Sequence, residues 1–167
     1  MARIWSRKRA PATCWNFPTA LNGQPLINMS RLSRKLRESV IRAAQNRCEY
    51  CQATQEMTMA VFHIDHIIPK SADGKTEFKN LCLSCPFCNQ FKGQQRFARD
   101  PRTSKRTRLF HPRRDRWREH FRWSADGTRI IGLTPRGRAT IVAINLNHPL
   151  ALQARSFWVA SGIHPPE

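Results

Sequence analysis

Leu32, Leu36, Val40 and Ala44 recur every four residues, while Arg31, Arg34, Lys35, Arg37 and Arg42 fill the positions between them. That period predicts an amphipathic helix from Ser30, as N-cap, to about Asn46. The next apolar run, Met59-Ala-Val-Phe-His-Ile64, reads as a short strand. Residues 67–80 begin Ile-Ile-Pro and contain Asp73-Gly74, which predicts a loop with a turn. Leu81-Cys82-Leu83 is a second short apolar run. A helix is expected from Asn89 to about Ala98, with Phe91 and Phe97 toward the core. The stretch from Arg102 to Arg108 has no apolar residue and reads as a basic linker. Trp117 and Phe121, four apart, place a helix over 113–121. Ser124-Ala-Asp-Gly-Thr128 predicts a hairpin turn between Phe121–Trp123 and Arg129–Ile131. Thr134-Pro135 starts another helix, His148-Pro149 breaks it, and a last helix ends near Ala160, before Gly162.

Residues 1–29 show no sustained period. Basic residues and Pro11, Pro18 and Pro25 alternate there with Trp5, Trp15 and Phe17, as in an arm appended to a folded body. The expected organisation is therefore a basic N-terminal arm (1–29), a central module (30–100) and a basic C-terminal extension packed on it (101–167).

Charge adds a partner to this picture. Among 167 residues, 29 Lys and Arg stand against 11 Asp and Glu, a net charge of +18. No fold requires such an excess; it favours a polyanion, through release of counterions from phosphate. No apolar run approaches the roughly 20 residues of a membrane span, and no apolar stretch follows the basic N-terminus as a secretory signal would require. The expected setting is intracellular, in the cytoplasm, with nucleic acid as partner and no membrane.

Cysteine spacing supplies the chemistry. Cys48-Glu-Tyr-Cys51 and Cys85-Pro-Phe-Cys88 are two Cys-x-x-Cys pairs far apart in the chain, a spacing suited to a tetrahedral, structural zinc. Cys82-x-x-Cys85 also satisfies the spacing; Cys85 with Cys88 is preferred because Cys82 lies between two leucines and suits a buried thiol. Cys14 has no ligand-spaced neighbour and is read as a lone thiol.

Between the pairs stands His63-Ile-Asp65-His66. A carboxylate suits a hard cation such as magnesium or manganese, and a neutral imidazole suits proton abstraction from water. Strand neighbours point to opposite faces, so the chain must turn here if both are to serve one site. Asn89 either caps the helix that starts beside it or supplies an amide oxygen to the hard ion. Lys92, one turn on, is within reach of a phosphate. Asn80 is expected to hold the loop and the histidine through backbone hydrogen bonds.

Together these motifs, Cys-x-x-Cys, Asp-His-Ile-Ile-Pro and Asn-Leu-x-Leu-x-Cys-x-x-Cys-Asn-x-x-Lys-Gly, resemble the HNH endonucleases, in the zinc-bearing branch with aspartate in the first position. Thr134-Pro135-x-Gly-Arg-Ala139 and Trp158 to Pro166 extend the resemblance, toward a common bacterial, especially cyanobacterial, group; it covers roughly residues 38–166. It implies an α+β chain carrying a ββα-metal, treble-clef-like module. It further implies a structural zinc on Cys48, Cys51, Cys85 and Cys88 and a catalytic magnesium or manganese on Asp65 and Asn89. His66 would be the general base of phosphodiester hydrolysis and Asn80 its support. Lys92, Arg113, Arg114 and Arg116 are expected to meet nucleic acid. The alternative is a zinc-finger nucleic-acid-binding protein that does not cleave. The chain departs from the family at Asp73-Gly74, where many relatives carry two glycines, and at His111, where asparagine is expected.

Overall fold

The first helix, α1 (Arg34–Ala43), is capped by Ser33, whose hydroxyl accepts from the Leu36 N–H at 3.3 Å. The computed structural model describes residues 32–166; the expected cap at Ser30, the N-terminal arm and Cys14 lie outside them. Val40 and Ala44 of the expected stripe are buried, with Leu32 and Leu36 packed against the same core. Gln45 and Asn46 take left-handed conformations (φ 50° and 57°), which turn the chain sharply off the helix end.

A four-residue helix, α2 (Gln55–Thr58), occupies the polar stretch just before the run expected to be a strand. Met59 caps it at φ 47° and is 94% exposed, as Val61 is to 80%. The strand starts later: β1 (His63–His66) pairs antiparallel with β2 (Leu81–Ser84), Asp65 opposite Cys82. The loop between them makes two 3-10 turns, over Lys70–Ala72 and Phe78–Asn80. Asp73 is left-handed (φ 61°), a conformation aspartate tolerates. A Cβ on Gly74 would lie 1.8 Å from the Ile68 carbonyl oxygen, so glycine is required there.

Helix α3 (Pro86–Lys92) follows β2 directly and packs beside β1. It ends at Gly93 (φ 46°), well short of the expected Ala98. Phe97 lies instead on β3 (Phe97–Arg99), paired with β4 (Arg106–Arg108) across the segment expected to be a linker. The helix expected over 113–121 contracts to α4 (Trp117–His120). Strands β5 (Phe121–Trp123) and β6 (Ile130–Gly132) form the anticipated hairpin. Helix α5 (Pro135–Ala143) has Thr134 as its cap, with the hydroxyl accepting from the Gly137 N–H, and α6 (Pro149–Ala160) follows.

The result is a mixed fold of short helices and two-stranded sheets, whose single core draws on both the central and the C-terminal segments. Val40, Tyr50, Phe62, Leu81, Phe110, Phe121, Ile130, Ile144 and Leu146 are all buried in it. Tyr50 stacks edge-on to Phe110, and its carbonyl accepts from the Trp117 indole at 2.9 Å. Among the described residues no helix is long and apolar enough to cross a membrane.

One ion pair fixes the β3–β4 hairpin to α5. Asp100 has no exposed surface; its two oxygens accept from Arg138 at 2.8 and 2.7 Å, and one also accepts from Thr103. The Arg138 hydrogen bonds outweigh burial and hold the Asp100 carboxyl well below the ordinary carboxylate range. A depressed folded-state pKa stabilises the fold above the unfolded value, and that contribution fades as pH falls through the folded value. Asp100→Asn is therefore expected to lower the melting temperature at pH 7 and to flatten the acid limb of stability between pH 4 and pH 2. Thermal melts across that range check it, and identical acid limbs in the two proteins would contradict it.

Candidate metal centre and active site

Backbone geometry builds the first half of the cysteine cluster. Cys48 N–H donates to the Ala53 carbonyl and Gln52 N–H to that of Cys48, both at 2.8 Å, and Arg47 bridges Thr54. This tight turn points Cys48 and Cys51 to one side. In the second half, Cys85 is the N-cap of α3 and its sulfur accepts from the Cys88 N–H at 3.3 Å. Glu49 joins the halves: its N–H donates to the Leu83 carbonyl, and its carboxylate accepts from the Leu83 N–H at 2.8 Å.

The four sulfurs of Cys48, Cys51, Cys85 and Cys88 lie within 4.8 Å of one another, all in buried residues. A tetrahedron with zinc–sulfur bonds of about 2.3 Å has edges of about 3.8 Å. The Cys51 and Cys85 sulfurs are 3.8 Å apart, so the donor set and its spacing fit zinc. Burial raises the Cys48 thiol, but hydrogen bonds from Cys51, Cys85 and Cys88 outweigh it and hold the thiol well below its ordinary value. Hydrogen bonding to Cys48 pushes the Cys51 and Cys88 thiols well up. Cys82 stays out of the cluster. Its sulfur donates to the Tyr50 hydroxyl at 3.6 Å, and burial, with the charges of Asp65 and Glu49, pushes the thiol well up.

A further residue near the cluster escaped the sequence reading. Arg155, only 2% exposed, donates from Nη2 to the Leu146 carbonyl at 2.8 Å and from Nη1 to that of Thr128. It shares a cavity of about 410 Å³ with Cys51, Cys85 and Cys88. Burial lowers its pKa while the four cysteines oppose that shift, which makes it a cation held beside an anionic cluster. The available signal was that Arg155 is the one charged residue of the last helix, Pro149–Ala160.

The acid–imidazole pair sits at the end of β1. Asp65 Oδ2 lies 2.8 Å from the Lys92 ammonium, yet no donor is aligned to hydrogen-bond with that buried oxygen. His66 Nε2 contacts the Thr76 hydroxyl at 2.9 Å, and no partner is found for Nδ1 among the described residues. Burial lowers the His66 pKa below 6.5, helped by Lys70 and Lys92 and opposed by Asp65, which favours the neutral ring at pH 7. Asn89 lies three residues before Lys92 on α3, on the same helix face. His63 is exposed.

Asn80 is 6% exposed and clasps the loop with three hydrogen bonds. Its Oδ1 accepts from the Ile68 N–H at 2.8 Å, and its Nδ2 donates to the carbonyls of Ile68 and Lys75 at 2.9 Å. Asn80→Ala removes all three hydrogen bonds to the Ile68 and Lys75 backbone and is expected to cost about 1–3 kcal/mol. Urea unfolding checks this; a loss below about 0.5 kcal/mol would contradict the role.

Two expected phosphate contacts prove to be interior. Lys92 is 2% exposed, with its ammonium on Asp65 and donating to the His66 carbonyl at 2.8 Å, so it faces the fold and not solvent. The Arg113 guanidinium is forked onto the Glu49 carboxylate and lies over the Phe78 ring. Burial raises the Glu49 pKa, against which Arg113 acts. Arg114 and Arg116 are exposed.

Residues 48–95 match the HNH endonuclease family model. The matched segment runs from the first cluster cysteine, through Asp65, His66 and Asn80, to just beyond Lys92 and Gly93. No curated protein and no solved structure matches the chain significantly.

Zinc binds thiolates in competition with protons, so its apparent affinity is expected to fall as pH drops below 7. Cys85→Ser is expected to abolish stoichiometric zinc and the cooperative melt of the described domain. Metal analysis alongside calorimetry checks both; a variant that keeps one zinc and melts as before would contradict the ligand assignment.

Proposed function

We propose that the chain is a cytoplasmic, metal-dependent endonuclease that hydrolyses DNA phosphodiester bonds on a ββα-metal module formed by β1, β2 and α3. The observation that carries this reading is Asp65 Oδ2, a buried carboxylate oxygen with no aligned hydrogen-bond donor. It stands on a strand packed against the helix that bears Asn89. A buried hard oxygen on the strand that packs against the Asn89-bearing helix suits magnesium or manganese better than the thiolate cluster does. The family match supports the same reading.

In this reading Asp65 and Asn89 hold the divalent ion, which when bound supplies charge neutralisation at the phosphate and at the leaving oxygen. His66 is the general base. With the Thr76 hydroxyl accepting from Nε2–H, Nδ1 keeps its lone pair for a water proton. Asn80 fixes the loop that carries Thr76, and the zinc cluster fixes the start of α3. Arg114 and Arg116 remain the exposed cations available to DNA from the expected set.

The second reading, a zinc-bearing DNA-binding protein without hydrolysis, rests on Lys92. Its ammonium already balances the Asp65 carboxylate at 2.8 Å, a charge that a pure binder would need no ion to supply. One variant separates the two. His66→Ala is expected to reduce nicking of supercoiled plasmid by at least about 10²-fold in magnesium or manganese, with zinc content and melting unchanged. Equal nicking by the two proteins would refute the base assignment, and no nicking by either would leave the binding reading in its place.

A further inference from the structure

The β3–β4 hairpin has two chemically opposite faces. In its register Phe97 stands opposite Arg108, Ala98 opposite Thr107 and Arg99 opposite Arg106. Side chains alternate along a strand, so Phe97, Arg99, Arg106 and Arg108 share one face while Ala98 and Thr107 share the other. Helix α5 packs against both strands, and Ala98 and Thr107 are half-buried. Arg99, Arg106 and Arg108 are exposed. The only carboxylate nearby in the chain, Asp100, is fully buried and bound to Arg138.

This guanidinium face opposes the hairpin's own stability. Like charges directly across a strand pair are destabilising, and Arg99 faces Arg106. Among the described residues none of Arg99, Arg106 and Arg108 has an ion-pair partner. What organises the face is an aromatic ring: the Arg106, Arg96 and Arg108 guanidinium carbons lie 4.3, 5.6 and 5.8 Å from the Phe97 ring centre. Arg99 is steadied by donating to the Ser104 carbonyl at 3.1 Å. The array is thus held in place without being neutralised. It also borders the candidate site, since Phe97 and Arg108 line one cleft with Ile67, Ile68 and Lys92.

We infer that this hairpin face, beyond the segment matched to the HNH family, grips the phosphate backbone of duplex DNA beside the cleavage site through Arg99, Arg106 and Arg108. The inference rests on the nuclease reading for its partner. A two-stranded ribbon is narrow enough to lie along a major groove about 12 Å wide, with its guanidinium groups on phosphates of the groove walls. Helix α5 and the Asp100–Arg138 pair set the ribbon's position.

The test uses the full zinc-loaded chain carrying His66→Ala, to prevent cleavage, and follows binding of a short labelled DNA duplex by anisotropy over a salt series. Each phosphate contact contributes about 0.9 to the slope of log affinity against log salt. The triple variant Arg99→Gln/Arg106→Gln/Arg108→Gln is expected to bind more weakly and with a slope shallower by about 2.7. Its melting temperature should be unchanged or higher, because like charges are removed. Arg106→Gln alone should lower the slope by about 0.9, which keeps the test informative should the triple variant fold poorly. The control Lys35→Gln/Arg37→Gln/Arg42→Gln removes equal charge from α1. Equal losses in the two triples, or an unchanged slope in the hairpin variant, would overturn the inference while leaving a DNA-nicking parent intact. A parent chain that neither binds nor nicks duplex DNA would overturn the nuclease reading and this inference together.

Discussion

Four sulfurs within 4.8 Å are the contact on which the other arrangements depend. The first two lie on a turn leaving α1 and the last two on the start of α3, so their meeting fixes where α3 begins relative to the central segment. Helix α3 is only seven residues long and has little packing area of its own. Its position sets Lys92 against Asp65 and puts Asn89 one turn away. The proposed hard-ligand site would therefore be a consequence of the cysteine cluster. The buried Arg155 extends the dependence to α6, since a cation with so little solvent is most stable beside the anionic cluster.

The C-terminal segment completes the centre from behind. Tyr50 sits inside the first cysteine pair, yet it packs on Phe110 and bonds Trp117, which both follow the matched segment. Arg113 reaches back to Glu49, the residue that ties the two cysteine turns together. Much of the positive charge that suggested nucleic acid is thus divided by task. Lys92, Arg113, Arg138 and Arg155 hold the interior, while the arginines of the hairpin face and Arg114 and Arg116 remain outside.

That division was the least legible part of the sequence. Charge density does not distinguish an arginine with a buried carboxylate partner from one in solvent, so Lys92 and Arg113 read as phosphate contacts. The β3–β4 hairpin was missed for a related reason: Arg106-Thr-Arg108 alternates in charge, not in hydrophobicity, and the strand signal relies on hydrophobicity. Phe97 then looked like a continuation of α3, although Gly93 had already ended it. Met59 and Val61 misled in the opposite sense, being apolar but exposed. The cysteine register was legible because soft ligands need a fixed spacing, and Cys82, flanked by leucines, turned inward. The Thr134 cap, the 124–128 turn and the stripe of α1 were legible because local rules govern them.

The central claim is that Asp65 and Asn89 share one hard-ion site beside a separate thiolate zinc. Paramagnetic broadening in the zinc-loaded, isotope-labelled protein tests it most directly. Titration with manganese is predicted to broaden the amide signals of Asp65, His66 and Asn89 first, leaving those of α5 and α6 sharp. Broadening that spares those three residues, or that falls on the cysteine turns instead, would contradict the account.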